Sequence, residues 1–188
     1  MKQFKTFPLD KSRWNDFEKL FGERGACGGC WCMTWRLKSS DYEKAKGEKN
    51  RKAFKKIVNC NEPVGVIGYL NNEPAGWCAV APREKFIRLE NSRVLRKVDG
   101  LPVWSVTCFF VDKKFRRKGL SVDLLKGVIE YCRKQKVKFI EAYPVEPKKN
   151  PMPDVFAFTG IASAFLKAGF KEVKRHSETR PIMRYYIK

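Results

Sequence analysis

The chain has 188 residues, 43% of them hydrophobic and 13% aromatic, and its 40 Lys and Arg against 20 Asp and Glu give a formal net charge of +20. That length suits one domain with a full core, and the apolar content excludes an intrinsically disordered chain. The positive field favours anionic ligands, nucleic acid among them, and disfavours cationic acceptors unless their pocket is locally acidic.

Met1 to Asp10 holds no apolar run of the signal-peptide kind, and no stretch reaches membrane-spanning length, so a cytoplasmic protein without membrane contact is expected. Its seven cysteines are then expected as reduced thiols. Asp10 and Ser12 offer caps to a first amphipathic helix with Trp14, Phe17, Leu20 and Phe21 on one face, stopped at Gly22. A glycine-rich loop over residues 23–33 carries Cys27, Cys30 and Cys32. Tetrahedral zinc would need a fourth ligand such as Cys60, Cys78 or His176, and no second Cys-x-x-Cys pair supplies one, so no metal site is assigned. A metal- or redox-sensing module is the rival reading of this array. Trp31, Met33 and Trp35 are core residues or pocket walls.

Ser40 to Glu43 has the form of a capping box, opening a lysine-rich helix to about Val58 with a solvated charged face. Val64 to Leu70 and Ala75 to Val80 read as a hairpin around the turn Asn71-Asn72-Glu73-Pro74. Residues 82–100 are basic and irregular, with a short helix near Phe86, Ile87 and Leu89. Val103 to Val111 is β-rich and almost continuously apolar, as a buried strand is. A basic turn, Asp112 to Ser121, leads from it into a helix with Leu120, Leu124, Val128 and Tyr131 on one face. Strand, basic turn and helix together make an anion cradle: consecutive N–H groups at the helix start have no internal partner, Gly119 removes the Cβ that would block approach, and Arg116, Arg117 and Lys118 add positive charge. A pyrophosphate is the natural guest.

Val137 to Tyr143 reads as the next strand, parallel to the previous one through a right-handed crossover. Pro144 to Pro153 carries four prolines and reads as an ordered loop. Phe156 and Phe158 follow, as core or as caps on a pocket. Thr159 is expected to cap a closing helix and Gly169 to end it, before strands over Phe170 to His176 and Pro181 to Ile187.

The turn Arg116-Arg117-Lys118-Gly119-Leu120-Ser121 resembles the acetyl-CoA motif of the GNAT acetyltransferase superfamily, Arg/Gln-x-x-Gly-x-Gly/Ala between a central strand and a long helix. Ser121 stands where the family has Gly or Ala. Ala164 to Phe170 resembles the family's closing helix with its final Gly-Phe, and the likeness covers roughly residues 60 to 188. It implies an α/β (α+β) fold: one GNAT-like domain over residues 1–188, a mixed central sheet flanked by helices, with splayed parallel middle strands forming the cofactor cleft. Residues 1–60 would be the helical acceptor side and 61–188 the sheet and acetyl-CoA core.

The implied reaction is acetyl transfer from acetyl-CoA to a primary amine by direct attack in a ternary complex. Phe109, Phe110 and Val111 would bind pantetheine through their backbone, and Arg116, Arg117, Lys118, Gly119, Leu120 and Ser121 the pyrophosphate. Glu141 is the expected general base, with Tyr143 next and Glu73, Glu84 and Glu146 open. Phe165 stands where the family often has a proton-donating Tyr, and Phe158 stands near the place of its helper Asn, so Ser163, Tyr143 or water is left to protonate the thiolate. Cys108 has no His partner in the sequence to make it a nucleophile, and His176 reads as structural. The expected partners are acetyl-CoA and an amine acceptor, with nucleic acid possible, the chain being a monomer or homodimer. The alternative is a basic RNA- or ribosome-binding protein that keeps the fold without rapid turnover.

Overall fold

The structure, a computed structural model, describes residues 3–147 and 156–188. The strands Phe4–Pro8 (β1), Gly65–Leu70 (β2), Glu73–Pro82 (β3), Val103–Val111 (β4), Phe139–Ala142 (β5), Lys171–Arg175 (β6) and Pro181–Tyr186 (β7) form one sheet in the order β1-β2-β3-β4-β5-β7-β6. Only β4 and β5 pair in parallel; the other neighbours run antiparallel. The helices are Trp14–Phe21 (α1), Ser39–Ala45 (α2), Glu48–Asn59 (α3), Ile87–Glu90 (α4), Leu120–Lys134 (α5) and Ala162–Lys167 (α6). The fold is thus the mixed, helix-flanked sheet that the motifs imply. None of the helices among the described residues is long and apolar enough to cross a membrane.

Periodicity places each face. Leu120, Leu124, Leu125, Val128, Ile129 and Cys132 repeat along α5 and are buried against Val66, Cys78, Val80, Val106, Ile140 and Ala142 of the sheet. On the other face Trp14, Phe17, Leu20 and Phe21 of α1 meet Phe54 and Val58 of α3 over Ile67, Trp77 and Ala79. Truncating a residue such as Leu124, wholly buried, removes about 2–5 kcal/mol by transfer and cavity terms together. Asn71 and Asn72 both take positive φ, 49° and 66°, which gives the β2–β3 hairpin its tight turn.

Several local expectations are corrected. Residues 4–8 form an edge strand that the sequence pattern did not announce, so the first 60 residues are not wholly helical. The lysine-rich helix is two helices, broken at Gly47, whose φ of 81° ends one and starts the other. The Ser40–Glu43 capping box does not form: Lys38 is the N-cap, and Ser40 Oγ turns to Asp41. Thr159 does not cap α6, which starts behind Ile161; its hydroxyl accepts from Arg180 instead. Gly169, at φ 92°, does end that helix. Of the proline-rich loop, Pro151 and Pro153 lie outside the described residues.

Candidate functional site

The site is built on β4. Its pairing with β3 shifts between Ala79 and Val80, so that Ala79 faces Cys108 while Val80 faces Val106, and Thr107 is the extra residue of a bulge. A bulge bends its strand and ends regular pairing. Beyond Val106 and Ala142 the pairing of β4 with β5 stops, and the two parallel strands part where Phe109, Phe110 and Val111 continue. The Thr107 hydroxyl, buried in this fork, finds no partner among the described residues.

The fork is bridged by residues of the segment before α6. Phe109 N–H donates to the Phe158 carbonyl at 2.6 Å, and Ile161 bridges in parallel to Val145. Phe158 itself is 36% exposed and Phe156 62%, so neither ring is core; Phe158 packs on Trp35, 6.3 Å between centroids. Trp31 and Met33 are buried core residues, while Trp35 is only part-buried and reaches the fork. Phe109 and Phe110 point to opposite faces: Phe109 packs edge-on against Phe165 at 5.6 Å, and Phe110 against Phe21 at 5.3 Å. Val111 is part-buried, and its carbonyl accepts from Arg116 Nε at 2.9 Å, which folds the basic turn back onto the strand end.

Asp112 starts that turn by accepting from Lys114 N–H, and α5 begins behind Gly119 at φ 77°, ψ 5°. Arg117 also takes a positive φ, 59°. No described side chain caps α5, so the leading N–H groups of Leu120 and Ser121 have neither an internal nor a capping acceptor. A Cβ placed on Gly119 would meet nothing within 4 Å, whereas Leu120 is anchored in the core at 2% exposure. Arg117, Lys118 and Gly119 are exposed, and Ser121 is half-buried. The result is an open, cationic helix start at the mouth of the fork, suited to a phosphate group.

The expected acid–base residues sit deeper. Glu141 is 1% exposed and accepts from Arg184 Nη2 at 2.7 Å and from the Tyr143 hydroxyl at 2.8 Å, with Arg83 Nη1 at 3.6 Å. The Tyr143 hydroxyl also meets Ser105 Oγ at 2.9 Å and accepts from Arg83. Burial, reinforced by the Glu141 charge, pushes the Tyr143 phenol far up, so it stays protonated. These two residues lie together, one strand step from the fork, and every polar atom they offer there is already bonded to a neighbour. Ser163 is exposed on α6, two residues before the buried Phe165. Among the alternatives, Glu73 pairs with Lys114 and Glu146 with Arg175, while Glu84 is exposed.

The sequence reading missed two features. The bridging carbonyl of Phe158 has no pattern signal, because it is a backbone atom brought in by the return of a loop. The cluster around Cys32, on the same side of the sheet as α1, joins residues far apart in the chain. Trp77 Nε1 donates to Cys32 Sγ at 3.1 Å, across 45 positions of sequence. No group of three or more His, Cys, Asp or Glu able to hold a metal ion occurs among the described residues.

A sequence model of the acetyltransferase (GNAT) family matches residues 31–153. No curated protein matches the chain. Solved structures do. PaiA N-acetyltransferase from Thermoplasma acidophilum, in complex with coenzyme A, is 13% identical with a TM-score of 0.54 over 98% of this chain and 99% of that one. An uncharacterized Bacillus halodurans protein is 14% identical with a TM-score of 0.57, over 98% and 84%. The yncA protein of Salmonella typhimurium, solved with acetyl-CoA, is 12% identical with a TM-score of 0.53, over 98% and 94%.

Proposed function

Because the chain belongs to the GNAT acetyltransferase family, we propose that it transfers an acetyl group from acetyl-CoA to a primary amine by direct attack in a ternary complex. The observation that carries this reading is the uncapped start of α5 at Gly119, cationic and open, directly after a central strand that parts from its parallel neighbour. Coenzyme A fits that arrangement: its pyrophosphate takes the N–H groups from Gly119 to Ser121 with Arg116, Arg117 and Lys118 around it, and its pantetheine lies along Phe109 to Val111. The acetyl-CoA complexes of family folds such as yncA support the same cosubstrate.

The Phe158 carbonyl marks the place of the reacting oxygen. It is held by Phe109 N–H at 2.6 Å, and on this reading the thioester carbonyl replaces it there. A preorganised N–H at that position stabilises the negative charge that grows when the amine attacks. The C–N bond forms, the tetrahedral intermediate collapses, and the C–S bond to coenzyme A breaks. The amine must first lose a proton and the departing thiolate gains one. With Glu141 bonded to Arg184 and Tyr143, these protons pass through water in the fork, and Glu141 and Tyr143 shape its wall. Ser163 and the Thr107 hydroxyl are the groups left to order that water.

Calorimetric titration of acetyl-CoA into the wild type, Gly119→Ala and Gly119→Glu tests the reading. The alanine variant carries the strain of a left-handed non-glycine residue, about 1–2 kcal/mol, and keeps binding. The glutamate variant carries the same strain and sets a carboxylate against the pyrophosphate, so it is expected to fold and lose binding. Absence of binding by the wild type would overturn the proposal.

A further inference from the structure

Two buried arginines each meet a carboxylate: Arg83 Nε donates to Glu90 at 2.9 Å, and Arg184 donates to Glu141 and to Asp99, both at 2.7 Å. Arg180, half-buried in the turn before β7, meets none among the described residues. It donates through Nη2 to the Tyr143 carbonyl at 3.0 Å and through Nη1 to the Thr159 hydroxyl at 3.3 Å, and both acceptors are neutral. Tyr143 follows the last residue of β5, on one arm of the fork. Thr159 follows Phe158, whose carbonyl is held by Phe109 N–H on the other arm. The guanidinium therefore spans from one arm of the fork to the segment that fills it. The carboxylates of β5 and its continuation are taken, Glu141 by Arg184 and the Tyr143 phenol, Glu146 by Arg175. A guanidinium cannot shed its charge, and holding it half-buried without a counter-ion is costly.

Trp35 supplies an independent observation at the same rim. Its ring lies 6.3 Å from that of Phe158, and its Nε1–H is buried with no acceptor among the described residues. An indole N–H can only donate, so leaving one buried and unmade is unfavourable. Arg88, also half-buried, lies over the Trp35 ring at 5.7 Å, and its Nη1 donates to the Thr34 carbonyl at 3.2 Å. No carboxylate among the described residues pairs with it. Phe158 and Phe156, 36% and 62% exposed, leave the rim open to solvent. The rim thus offers N–H groups and positive charge without an anion. A carboxylate is its complement: planar, charged and rich in lone pairs. That group belongs to the acceptor, because the cradle at Gly119 and the end of β4 are assigned to acetyl-CoA.

We propose, on the reading that the chain transfers acetyl groups from acetyl-CoA, that its acceptor is an amine carrying a carboxylate, and that Arg180 is the residue that selects it. A free amino acid has this chemistry, and so does a peptide whose first residue is acidic. The carboxylate takes the N–H groups of Arg180 that Tyr143 and Thr159 leave unused, with the Arg88 charge beside it, and the amine is held toward the thioester at Phe109 N–H. The amine nitrogen, having given one proton to water, bonds the acetyl carbon as the C–S bond breaks; the thiolate takes a proton from water, and the carboxylate is unchanged. A polyamine meets two guanidiniums here and no counter-charge, so it is repelled.

The test follows coenzyme A release from acetyl-CoA with free amino acids and their amides, with peptides that begin in Asp or Glu and their Asn or Gln counterparts, and with a linear polyamine. For the wild type, kcat/KM is expected to be about tenfold or more higher for the acids than for the matching amides, and the arm that shows the difference identifies the source of the carboxylate. Arg180→Met should raise the KM of the preferred acid about ten- to a hundredfold, to that of its amide, with little change in kcat. Arg180→Lys, which keeps the charge without the planar fork, should fall between, and circular dichroism checks that both variants fold. A residue that only braced Tyr143 and Thr159 would cost acids and amides alike. A wild type that binds acetyl-CoA in calorimetry but acetylates the amides or the polyamine as readily as the acids, or none of the acids, would overturn the inference and leave acetyl transfer standing. A wild type that binds no acetyl-CoA removes the transfer reading itself, and this inference with it.

Discussion

The carboxylate of Glu141 touches two guanidiniums and a phenol, and Arg184 in turn holds Asp99 through two bonds at 2.7 and 3.1 Å. Glu141 carries the charge that two arginines, 4% and 3% exposed, need in the interior. Removing Glu141 leaves Arg184 only the more exposed Asp99 and Arg83 only Glu90, a loss that approaches that of a broken buried pair, about 3–5 kcal/mol. Glu141→Ala is therefore expected to lower urea-unfolding stability by about that amount while leaving acetyl-CoA affinity unchanged. Glu141→Gln, which keeps the acceptor for Tyr143 and Arg184, should lose less. Full stability in Glu141→Ala with acetyl transfer abolished would return the residue to the role of general base. From the sequence alone Glu141 stood out as a carboxylate on the strand after the motif. Its bond to Arg184, 43 positions away, was invisible because sheet register decides it.

Between elements, the decisive feature is the bulge of β4 at Thr107 and the segment that fills the fork behind it. The strand, the helix α5 and the hairpin were legible because apolar period and turn residues record them. The bulge was not, since Val103 to Val111 is almost continuously apolar and an extra unpaired residue leaves no periodic mark. The closing helix was legible by its Gly-Phe end but not by its start, where Ile161 is held by its bridge to Val145 and not by a capping side chain. If acetyl-CoA takes Phe109 N–H, the Phe158 carbonyl must give it up, and Trp35, whose ring lies tilted 6.3 Å from that of Phe158, moves to a new environment. Tryptophan fluorescence is thus expected to change on titration with acetyl-CoA and to stop changing in Trp35→Phe. Of the five Trp residues, Trp14, Trp31 and Trp77 are buried on the α1 face, so a signal that survives in Trp35→Phe would show that the segment stays in place.

At the scale of the whole molecule the question is what a net charge of +20 does. Many acidic residues are already paired: Asp10 with Arg13, Glu18 with Arg51, Glu62 with Lys85, Glu172 with Arg175, Asp99 and Glu141 with Arg184. Apart from the buried Glu141–Arg184 pair, such exposed pairs stabilise little, about 0–1 kcal/mol each, so their main effect is to leave the surplus cations as a field. On the proposed reading that field attracts acetyl-CoA from any side, and the cradle at Gly119 holds it in one pose. Raising ionic strength from about 0.01 to about 0.15 M shortens the Debye length from about 30 to about 8 Å, which removes the distant charges and spares the near ones. Acetyl-CoA affinity is accordingly expected to weaken by a modest factor over that range and then level off, with Gly119→Glu binding weakly at low salt and not at all at high salt. Any affinity for RNA rests on the field alone. It should fall steeply and linearly in log–log form, with a slope set by the phosphates contacted, and be the same in Gly119→Glu as in the wild type. An acetyl-CoA titration that followed the RNA pattern, steep in salt and indifferent to Gly119, would mean that the fold is kept for its basic surface and that the cradle holds nothing.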